Sequence, residues 1–389
     1  MGAPDDARSI LARPECRCMS WSPQQEAAIR DVRTWLADPK RKQVFRLFGY
    51  AGTGKTTLAK QLADTVGGTV LYAAFTGKAA LQLRKKGCEG ASTIHSLIYK
   101  PQVDDKTGAV EFVLNHESDI SDAKLIVIDE VSMVGEDLAR DLLSFGKPVL
   151  VLGDPAQLPP VKGEGFFINA APDVMLTEVH RQAQDNPIIR MSMDIREGNR
   201  LRRGKYGESA VINRDDVGQD AMREMVMSAD QLLCGLNRTR VAFNRRIRTL
   251  KGLCGTAYPW HPTTGDRLIC LRNDREKHLF NGGLWDVDSV EDKMGRIDMN
   301  VSSLDEQRDP VSVKVFEEFF NGTEASLDWR ERRECEEFTF GWAITCHKSQ
   351  GSQWNSVIIF DESGAFREAK ANWLYTAVTR AAERVVVVV

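Results

Sequence analysis

The sequence lacks the features of a membrane or secreted protein. No apolar run reaches the ~18 residues that a membrane-spanning helix needs. The N-terminal stretch carries Asp5 and Asp6 and no apolar core, which argues against a signal peptide. Eight cysteines are scattered without paired C-x-x-C spacing, so neither a zinc site nor a disulfide framework is predicted. We therefore expect a cytoplasmic protein with no membrane partner.

A large excess of one charge is also absent. The 389 residues include 52 Lys and Arg against 55 Asp and Glu, which gives a formal net charge of −3. This balance provides no global signature of nucleic-acid binding, so any such binding requires a local basic path. With 42% hydrophobic and 28% charged residues, the chain is long enough for two or three globular domains.

A complete phosphate-binding loop (P-loop) is present. Residues 49–57 read GYAGTGKTT, the pattern G-x-x-x-x-G-K-[ST], between an apolar run (44–48) and a predicted helix (58–63). In that setting backbone N–H groups and the helix N-terminus bind phosphates, the lysine reaches the β and γ phosphates, and the hydroxyl after it suits Mg²⁺. The predicted nucleotide-binding residues are Gly49, Ala51, Gly52, Thr53, Gly54, Lys55, Thr56 and Thr57.

Two acidic residues follow another apolar run. Residues 125–128 are Leu-Ile-Val-Ile, which indicates a buried parallel strand. Asp129 and Glu130 stand at its carboxyl end, where open α/β sheets bind ligands. We expect Asp129 to hold Mg²⁺ through water and Glu130 to orient or deprotonate the attacking water. Together with Lys55 and Thr56, these residues predict a nucleotide hydrolase that uses Mg²⁺; the resemblance described below implies that the nucleotide is ATP.

The order of apolar runs predicts an α/β fold with two parallel sheets. Strands alternate with helices from residue 44 to about 176, and a second such pattern ends in the valine run 385–389, which we expect to be a buried central strand. We assign residues 1–19 to a flexible leader and 20–178 to the first domain. The second domain comprises 179–261 and 331–389, and the turn-rich segment 262–330 is a small β-barrel insertion.

Residues 99–116 interrupt the first domain. The turn Asp-Asp-Lys-Thr-Gly (104–108), flanked by Val103 and the run 110–114, predicts a β-hairpin. The pattern is compatible with a surface decoration as well as with a functional element. Tyr99 and Phe112 are its aromatic residues available to stack on a base.

Several further motifs, taken together, resemble a known enzyme family. In chain order the set is Gln25, GYAGTGKTT (49–57), AAFTGKAALQL (73–83), ASTIHSL (91–97), VIDEVSM (127–133), VLGDPAQLPPV (151–161), LTEVHRQ (176–182), TCHKSQG (345–351) and LYTAVTRA (374–381). It is similar to the set found in superfamily-1 class B DNA helicases, which move 5′→3′, and within them to the RecD-like branch and the phage Dda-like enzymes. The resemblance implies two tandem RecA-like domains, a hairpin pin in the first, and an SH3-like β insertion in the second that is shorter than in Dda.

The resemblance also implies roles at the nucleotide site. Gln157 resembles the sensor that links the γ phosphate to DNA, and Arg181 and Arg380 resemble arginines that complete the site across the domain cleft. A guanidinium there stabilises the charge of phosphoryl transfer. Gln25 resembles the adenine-reading glutamine, with neighbouring Gln24 as an open alternative. The remaining expected cofactor contact is Gly351.

A DNA path is implied by short hydroxyl, amide and basic side chains at predicted strand ends, which suit phosphates. A structural role for individual members, and a solvated helix face for the segment 238–251, are the alternatives. The expected DNA-binding residues are Thr76, Lys78, Thr93, His95, Phe112, Asn237, Thr345, His347, Lys348 and Gln350.

The resemblance therefore implies an ATP-dependent 5′→3′ DNA helicase. Its expected partners are single-stranded DNA and fork junctions, with replication or recombination proteins as candidates. A non-unwinding, DNA-stimulated ATPase that serves as a regulatory subunit of a RecD-like nuclease complex is the alternative, and an RNA-directed motor is a third reading.

Overall fold

The computed structural model describes residues 21–103, 110–160, 163–179, 185–254, 259–274, 276–293 and 295–389. Three larger sheets and one two-stranded hairpin organise these residues. The leader expected at 1–19 lies outside the described residues. None of the helices within these ranges is both long and apolar enough to cross a membrane.

The first sheet is six-stranded and parallel. Its spatial order is β3 (Ser92–Thr93), β2 (Val70–Ala74), β6 (Leu125–Asp129), β7 (Val149–Gly153), β1 (Val44–Gly49) and β8 (Val174–Leu176). Leu150 of β7 packs with the helices Pro23–Ala37 and Lys55–Ala63 on one face, and Val151 packs with Ile94–Ile98 and Glu136–Leu143 on the other. Because helices cover both faces, the central strands are apolar throughout, as the sequence predicts.

The second sheet follows the same plan. Its order is β17 (Ala343–Thr345), β11 (Gln231–Cys234), β18 (Trp354–Phe360), β19 (Ala381–Val388), β10 (Ser209–Ile212) and β9 (Gly204–Tyr206), and all pairs are parallel except β9 with β10. The helices Pro187–Arg196 and Lys370–Val378 pack on one face, and Gln219–Ser228 packs on the other. The final valine run forms the predicted central strand, although Val389 follows its end and is exposed.

The third sheet is five-stranded and antiparallel. Its order is β15 (Val311–Phe316), β14 (Arg296–Ser303), β13 (Leu284–Lys293), β12 (Arg267–Cys270) and β16 (Phe338–Phe340). The sheet curls until the Glu336 N–H donates to the Lys314 carbonyl at 2.8 Å, which joins its two edges. Two short helices, Glu318–Asn321 and Trp329–Arg333, connect β15 to β16.

The insertion is longer than the sequence predicts. Residues 338–340, which we assigned to the second domain, pair with β12 and place Phe338 and Phe340 in the core of the third sheet. No glycine or proline separates this short strand from the preceding segment, and the local boundary signal is Gly341, which follows the strand and which the predicted boundary did not use.

The predicted hairpin is present and pairs β4 (Tyr99–Val103) with β5 (Val110–Leu114) in antiparallel register, Tyr99 opposite Leu114. Its turn, residues 104–109, lies outside the described residues. Two further α-helices of the described residues are Gly77–Lys85, in the first domain, and Asn237–Lys251, in the second.

Candidate nucleotide cleft and nucleic-acid surface

A cleft of about 310 Å³ lies where the first and second sheets meet. The first sheet contributes the P-loop, Asp129, Glu130, Asp154 and Gln157. The second contributes residues 351–353, Thr379 and Arg380. The cleft therefore unites groups from both halves of the chain that the sequence predicted separately.

The P-loop has the geometry of an anion site. Gly54 adopts φ 76°, a left-handed conformation that favours glycine, and forms the N-cap of the helix Lys55–Ala63 without a side-chain cap. The first N–H groups of that helix are therefore not taken up by a capping side chain and face the cleft. The Lys55 ammonium donates to the carbonyls of Gly49 at 2.6 Å and Tyr50 at 3.1 Å, so it lies folded over the loop that would hold the phosphates.

The residues expected at the metal ion lie side by side. The Thr56 hydroxyl donates to Oδ2 of Asp129 at 2.8 Å, and Oδ1 of Asp129 accepts the Glu130 N–H at 2.8 Å. No cluster of three or more His, Cys, Asp or Glu side chains suited to a metal occurs in the described part of the chain. This donor set fits Mg²⁺, which keeps several waters and needs only one or two protein oxygens beside the phosphates of a nucleotide.

Glu130 occupies a strained position beside these groups. Its backbone has φ 54° and ψ 47°, a left-handed conformation rare for a non-glycine residue. Burial raises the pKa of its carboxyl, and the negative charges of Asp129 and Asp154 act in the same direction, whereas Arg380 and Lys55 oppose them. Within the described residues its carboxylate accepts no hydrogen bond, so Glu130 is the acid of the cleft that is available to accept a proton.

The loop that carries Gln157 is held by the second domain. On the helix Lys370–Val378, Asn372 donates to the carbonyls of Ala156 and Gln157 at 3.1 and 3.2 Å, and the Thr376 hydroxyl accepts the Leu158 N–H at 2.8 Å. The Gln157 side chain lines the cleft, and its Oε1 is buried without a hydrogen-bond partner. An unpaired buried acceptor at this place is open to a ligand donor.

Arg380 follows the same helix and reaches the cleft from the second domain. Its guanidinium is buried and donates to the carbonyls of Thr376 at 3.0 Å and Ser352 at 3.3 Å. These bonds hold the side chain at the cleft that contains Glu130, where the positive charge of Arg380 opposes the rise in the pKa of Glu130 that burial causes. Arg181, expected to share this role, lies outside the described residues.

Gln25 and Gln24 have distinct positions. The Gln25 amide is buried, donates to the Thr53 carbonyl of the P-loop at 3.1 Å and accepts the Ser22 N–H at 3.0 Å. The Gln24 side chain instead accepts the N–H groups of Thr177 and Glu178. Gln25 is thus the glutamine that contacts the P-loop. Of the expected nucleotide contacts in the loop, Gly49 and Thr53 do not line the cleft, whereas the others do, together with Gly351.

Several residues expected to contact DNA are buried instead. The Lys78 ammonium is 3% exposed, lies 3.2 Å from Oδ1 of Asp305 in the insertion and 4.9 Å from the ring centroid of Trp354. The two side chains form a buried ion pair. Burial lowers the pKa of Lys78, and Asp305 opposes this effect. The ammonium is therefore covered by the insertion, and its contact with DNA stays a prediction.

The hydroxyl and amide residues show the same pattern. Thr76 and Thr93 cap the helices Gly77–Lys85 and Ile94–Ile98 with their side chains. Thr345 is buried and accepts the Lys348 N–H, and Gln350 is buried with its amide donating to the Leu158 carbonyl at 2.9 Å. Gln350 therefore contacts the Gln157 loop rather than an open surface.

Other expected DNA contacts are on the surface. Lys348, His95 and Asn237 are exposed, and His347 is half-buried against Phe366. Burial lowers the pKa of His347. Exposed polar or charged side chains that were expected to contact DNA thus lie on both domains, His95 on the first and Asn237 and Lys348 on the second. The other expected contacts described above are wholly or partly buried.

The hairpin presents one aromatic residue to solvent. Phe112 is 56% exposed and lies edge-on to His95 at 4.7 Å between ring centroids. The Tyr99 hydroxyl donates a hydrogen bond to Asp141 of the helix Glu136–Leu143. Burial is the larger cause, and this bond a smaller one, of the rise in the pKa of Tyr99 to about 12. Tyr99 therefore anchors the hairpin, and Phe112 is the residue free to meet a base.

Comparison with known proteins assigns the family. Residues 20–216 match the family described as AAA domain, and residues 340–388 match the UvrD-like helicase C-terminal domain. The chain is 30% identical over 364 residues to the ATP-dependent RecD2 DNA helicase of Deinococcus radiodurans, an alignment covering 87% of this chain and 46% of that protein. This chain belongs to the superfamily-1 helicases.

The fold of this helicase resembles solved Pif1 structures. It matches Bacteroides Pif1 bound to single-stranded DNA with a TM-score of 0.56 and 19% identity, covering 95% of this chain and 92% of that one. Candida albicans Pif1 matches with a TM-score of 0.53 and 18% identity over 95% of each chain. The two parallel sheets are accordingly RecA-like domains. The chain spans less than half the length of the curated relatives it matches.

Sequence reasoning missed several residues that join the parts of the chain around the cleft. Tyr375 was quoted within a motif but given no role, yet its hydroxyl reaches both the P-loop and Asp154. Asp305 lies in the insertion and has no motif around it. For Tyr375 a signal was available in the sequence. Asn372, Tyr375 and Thr376 are three and four residues apart, which places them on one face of a helix ahead of Arg380.

Proposed function

We propose that this chain is an ATP-dependent DNA helicase that moves 5′→3′ along single-stranded DNA and unwinds duplex DNA. The observation that carries the proposal is the cleft in which the P-loop and Glu130 of one RecA-like domain face Arg380 of the other. Such a site is complete only when the domains are close, so hydrolysis and domain movement are coupled.

The residues of the cleft support a specific division of labour. The P-loop amides, Lys55 and Gln25 would bind ATP, and Thr56 and Asp129 would hold Mg²⁺, which neutralises developing phosphate charge when bound. Glu130 would accept the proton of the attacking water, and Arg380 would stabilise the charge at the γ phosphate. Arg181 remains a proposed partner of Arg380. Gln157, held against the second domain, would sense the γ phosphate.

Movement along DNA would result if the two domains held single-stranded DNA in turn while ATP binding closes the cleft and hydrolysis opens it. Single-stranded DNA would lie across both domains near Lys348 and His95, and fork junctions are the proposed substrate. The relatives named above support DNA as the track: one is named as a DNA helicase and another is bound to single-stranded DNA. Replication or recombination proteins are the proposed partners. We also propose that the segments 20–178, 179–261 and 341–389 act as the two motor units, with residues 338–340 left to the insertion.

The hairpin is the proposed wedge. It projects from the first domain and offers the exposed Phe112, and Tyr99 anchors its base. A step of duplex costs about 1.4 kcal/mol to separate, so a hairpin of two short strands needs ATP-driven movement behind it. In the first domain it would meet the junction ahead of a 5′→3′ motor.

Unwinding of tailed duplexes tests the proposal. A duplex with a 5′ single-stranded tail should be unwound and one with only a 3′ tail should not, with Lys55→Ala as the inactive control. Replacement of residues 103–113 by a Gly-Ser linker should abolish unwinding and leave most of the DNA-stimulated ATPase. Unwinding from a 3′ tail alone would overturn the assigned direction. Stimulated ATPase without unwinding of either substrate would favour the regulatory ATPase instead.

A further inference from the structure

Tyr375 forms a bridge between the two halves of the cleft. The side chain is 1% exposed and comes from the helix Lys370–Val378 of the second domain. Its hydroxyl accepts the Ala51 N–H of the P-loop at 2.8 Å and donates to Oδ2 of Asp154 at 2.7 Å. One oxygen atom therefore links the P-loop, the Gln157 loop and the second domain.

Asp154 transmits the bridge into the Gln157 loop. Its other oxygen, Oδ1, accepts the Ala156 N–H at 3.0 Å, and its carbonyl accepts the Gln157 N–H at 3.1 Å. A charge-assisted bond from Tyr375 to this carboxylate is stronger and shorter than a neutral one. The loop that presents Gln157 is thus fixed relative to Tyr375.

A second residue of the second domain contacts the same part of the P-loop. The Arg196 guanidinium, from the end of the helix Pro187–Arg196 in the second domain, lies 3.7 Å from the ring centroid of Tyr50. Tyr50 and Ala51 are consecutive residues of the loop, so both are held from the opposite domain. Burial and the Asp154 charge raise the pKa of Tyr375, which keeps its hydroxyl protonated as the donor.

The helix that carries Tyr375 leads directly to the arginine. Arg380 follows its end by two residues, and the Arg380 Nε donates to the Thr376 carbonyl at 3.0 Å. A short rigid helix held at Tyr375 therefore fixes the place of the guanidinium. A displacement of about 1 Å at a reacting group can cost a hundredfold in rate, so the bridge controls a sensitive distance.

We propose that Tyr375 is a positioning residue that sets the distance between the P-loop and the Arg380 guanidinium. It touches no phosphate itself and acts through Arg380. This inference rests on the proposed role of Arg380 in ATP hydrolysis.

Tyr375→Phe removes the bridge and keeps the ring. DNA-stimulated kcat should fall about tenfold or more, while the KM for ATP changes less than about threefold, because the arginine acts in the transition state. Affinity for ADP with aluminium fluoride should fall with kcat, and affinity for ADP should not. Tyr206→Phe, which removes a hydroxyl that among the described residues bonds only to Arg202 in the second domain, is the matched control and should match the wild type. Equal losses for ADP and ADP with aluminium fluoride would overturn the proposal.

A double-mutant cycle tests the role of Tyr375 separately from the proposed role of Arg380, on which it rests. Tyr375→Phe should add less than about a twofold loss in an Arg380→Ala background, since a residue that acts through Arg380 has nothing left to position. Multiplied losses, or a wild-type rate for Tyr375→Phe, would overturn the role of Tyr375 alone. A wild-type rate for Arg380→Ala would overturn both roles. If Tyr375→Phe does not fold, Asp154→Asn weakens the same bridge and should give the same selective loss in kcat, and its absence would refute the inference.

Discussion

Replacing Glu130 by Gln separates the chemistry of the cleft from its assembly. The amide keeps the shape of the side chain but cannot accept the proton of the attacking water. General-base catalysis contributes about 10²–10⁴ in rate, which corresponds to about 2.7–5.4 kcal/mol of barrier. We expect a loss within this range, with nucleotide and DNA binding retained.

The surroundings of Glu130 place the loss at the upper end of that range. Both oxygens of Asp129 are occupied, by Thr56 and by the Glu130 N–H. Both oxygens of Asp154 are also occupied, by Tyr375 and by the Ala156 N–H. Neither neighbouring carboxylate is free to replace the missing base.

The assay is ATP hydrolysis at saturating single-stranded DNA, with fluorescent nucleotide binding and DNA binding measured on the same preparations. A kcat within threefold of the wild type would refute the assignment of Glu130. Loss of nucleotide binding together with hydrolysis would instead mean that the substitution damages the site, and the base assignment would then lack its support.

The raised pKa of Glu130 adds a pH signature. The base acts when ionised, so the acid limb of kcat/KM should lie above the ordinary value of 4.5, and the Gln variant should lack that limb. Because the folded pKa is raised, the stability that protonated Glu130 contributes is present below pH 4.5 and lost as pH rises through the folded pKa. At neutral pH the Gln variant should therefore unfold no more easily than the wild type, as thermal melting would measure.

Three further outcomes follow from burial and exposure. Arg248→Ala should cost about 3–5 kcal/mol in denaturant unfolding, because it leaves the 0%-exposed Asp266 carboxylate unpaired; a loss below 1 kcal/mol would contradict this. Lys348→Ala should lower the salt slope of single-strand binding by about 0.7, whereas His347→Ala should not change it, since its lowered pKa keeps His347 neutral above pH 7. Phe112→Ala should slow unwinding severalfold and leave the ATPase intact; equal losses in both would remove Phe112 from the wedge.

The sequence predicts the chemical groups of the cleft better than the surface around it. Lys55, Thr56 and Glu130 could be found because a strand, a tight loop and a helix place them locally. The resemblance added Arg380, which lies in the same cleft. These assignments depend on short stretches of chain whose geometry the residue types themselves dictate.

Burial of a motif residue could not be predicted in the same way. Lys78 is covered by Asp305, and Gln350 bonds to Leu158, so each depends on a partner far along the chain. A lysine or glutamine after a strand reads as exposed because most are. Only the packed structure shows that Lys78 joins the first domain to the insertion and that Gln350 joins the second domain to the loop of Gln157.

The insertion begins and ends on neighbouring strands. Leu268 of β12 pairs with Phe340 of β16, and the Gly341 N–H donates to the Arg267 carbonyl at 2.8 Å. The barrel thus leaves and re-enters the second domain through one two-stranded stem, and the ion pair between Asp305 and Lys78 is a second link, to the first domain. Modules with adjacent termini are the ones that proteins exchange, enlarge or delete without refolding the host. The stem therefore allows a different domain to replace the insertion, provided that the replacement also covers Lys78.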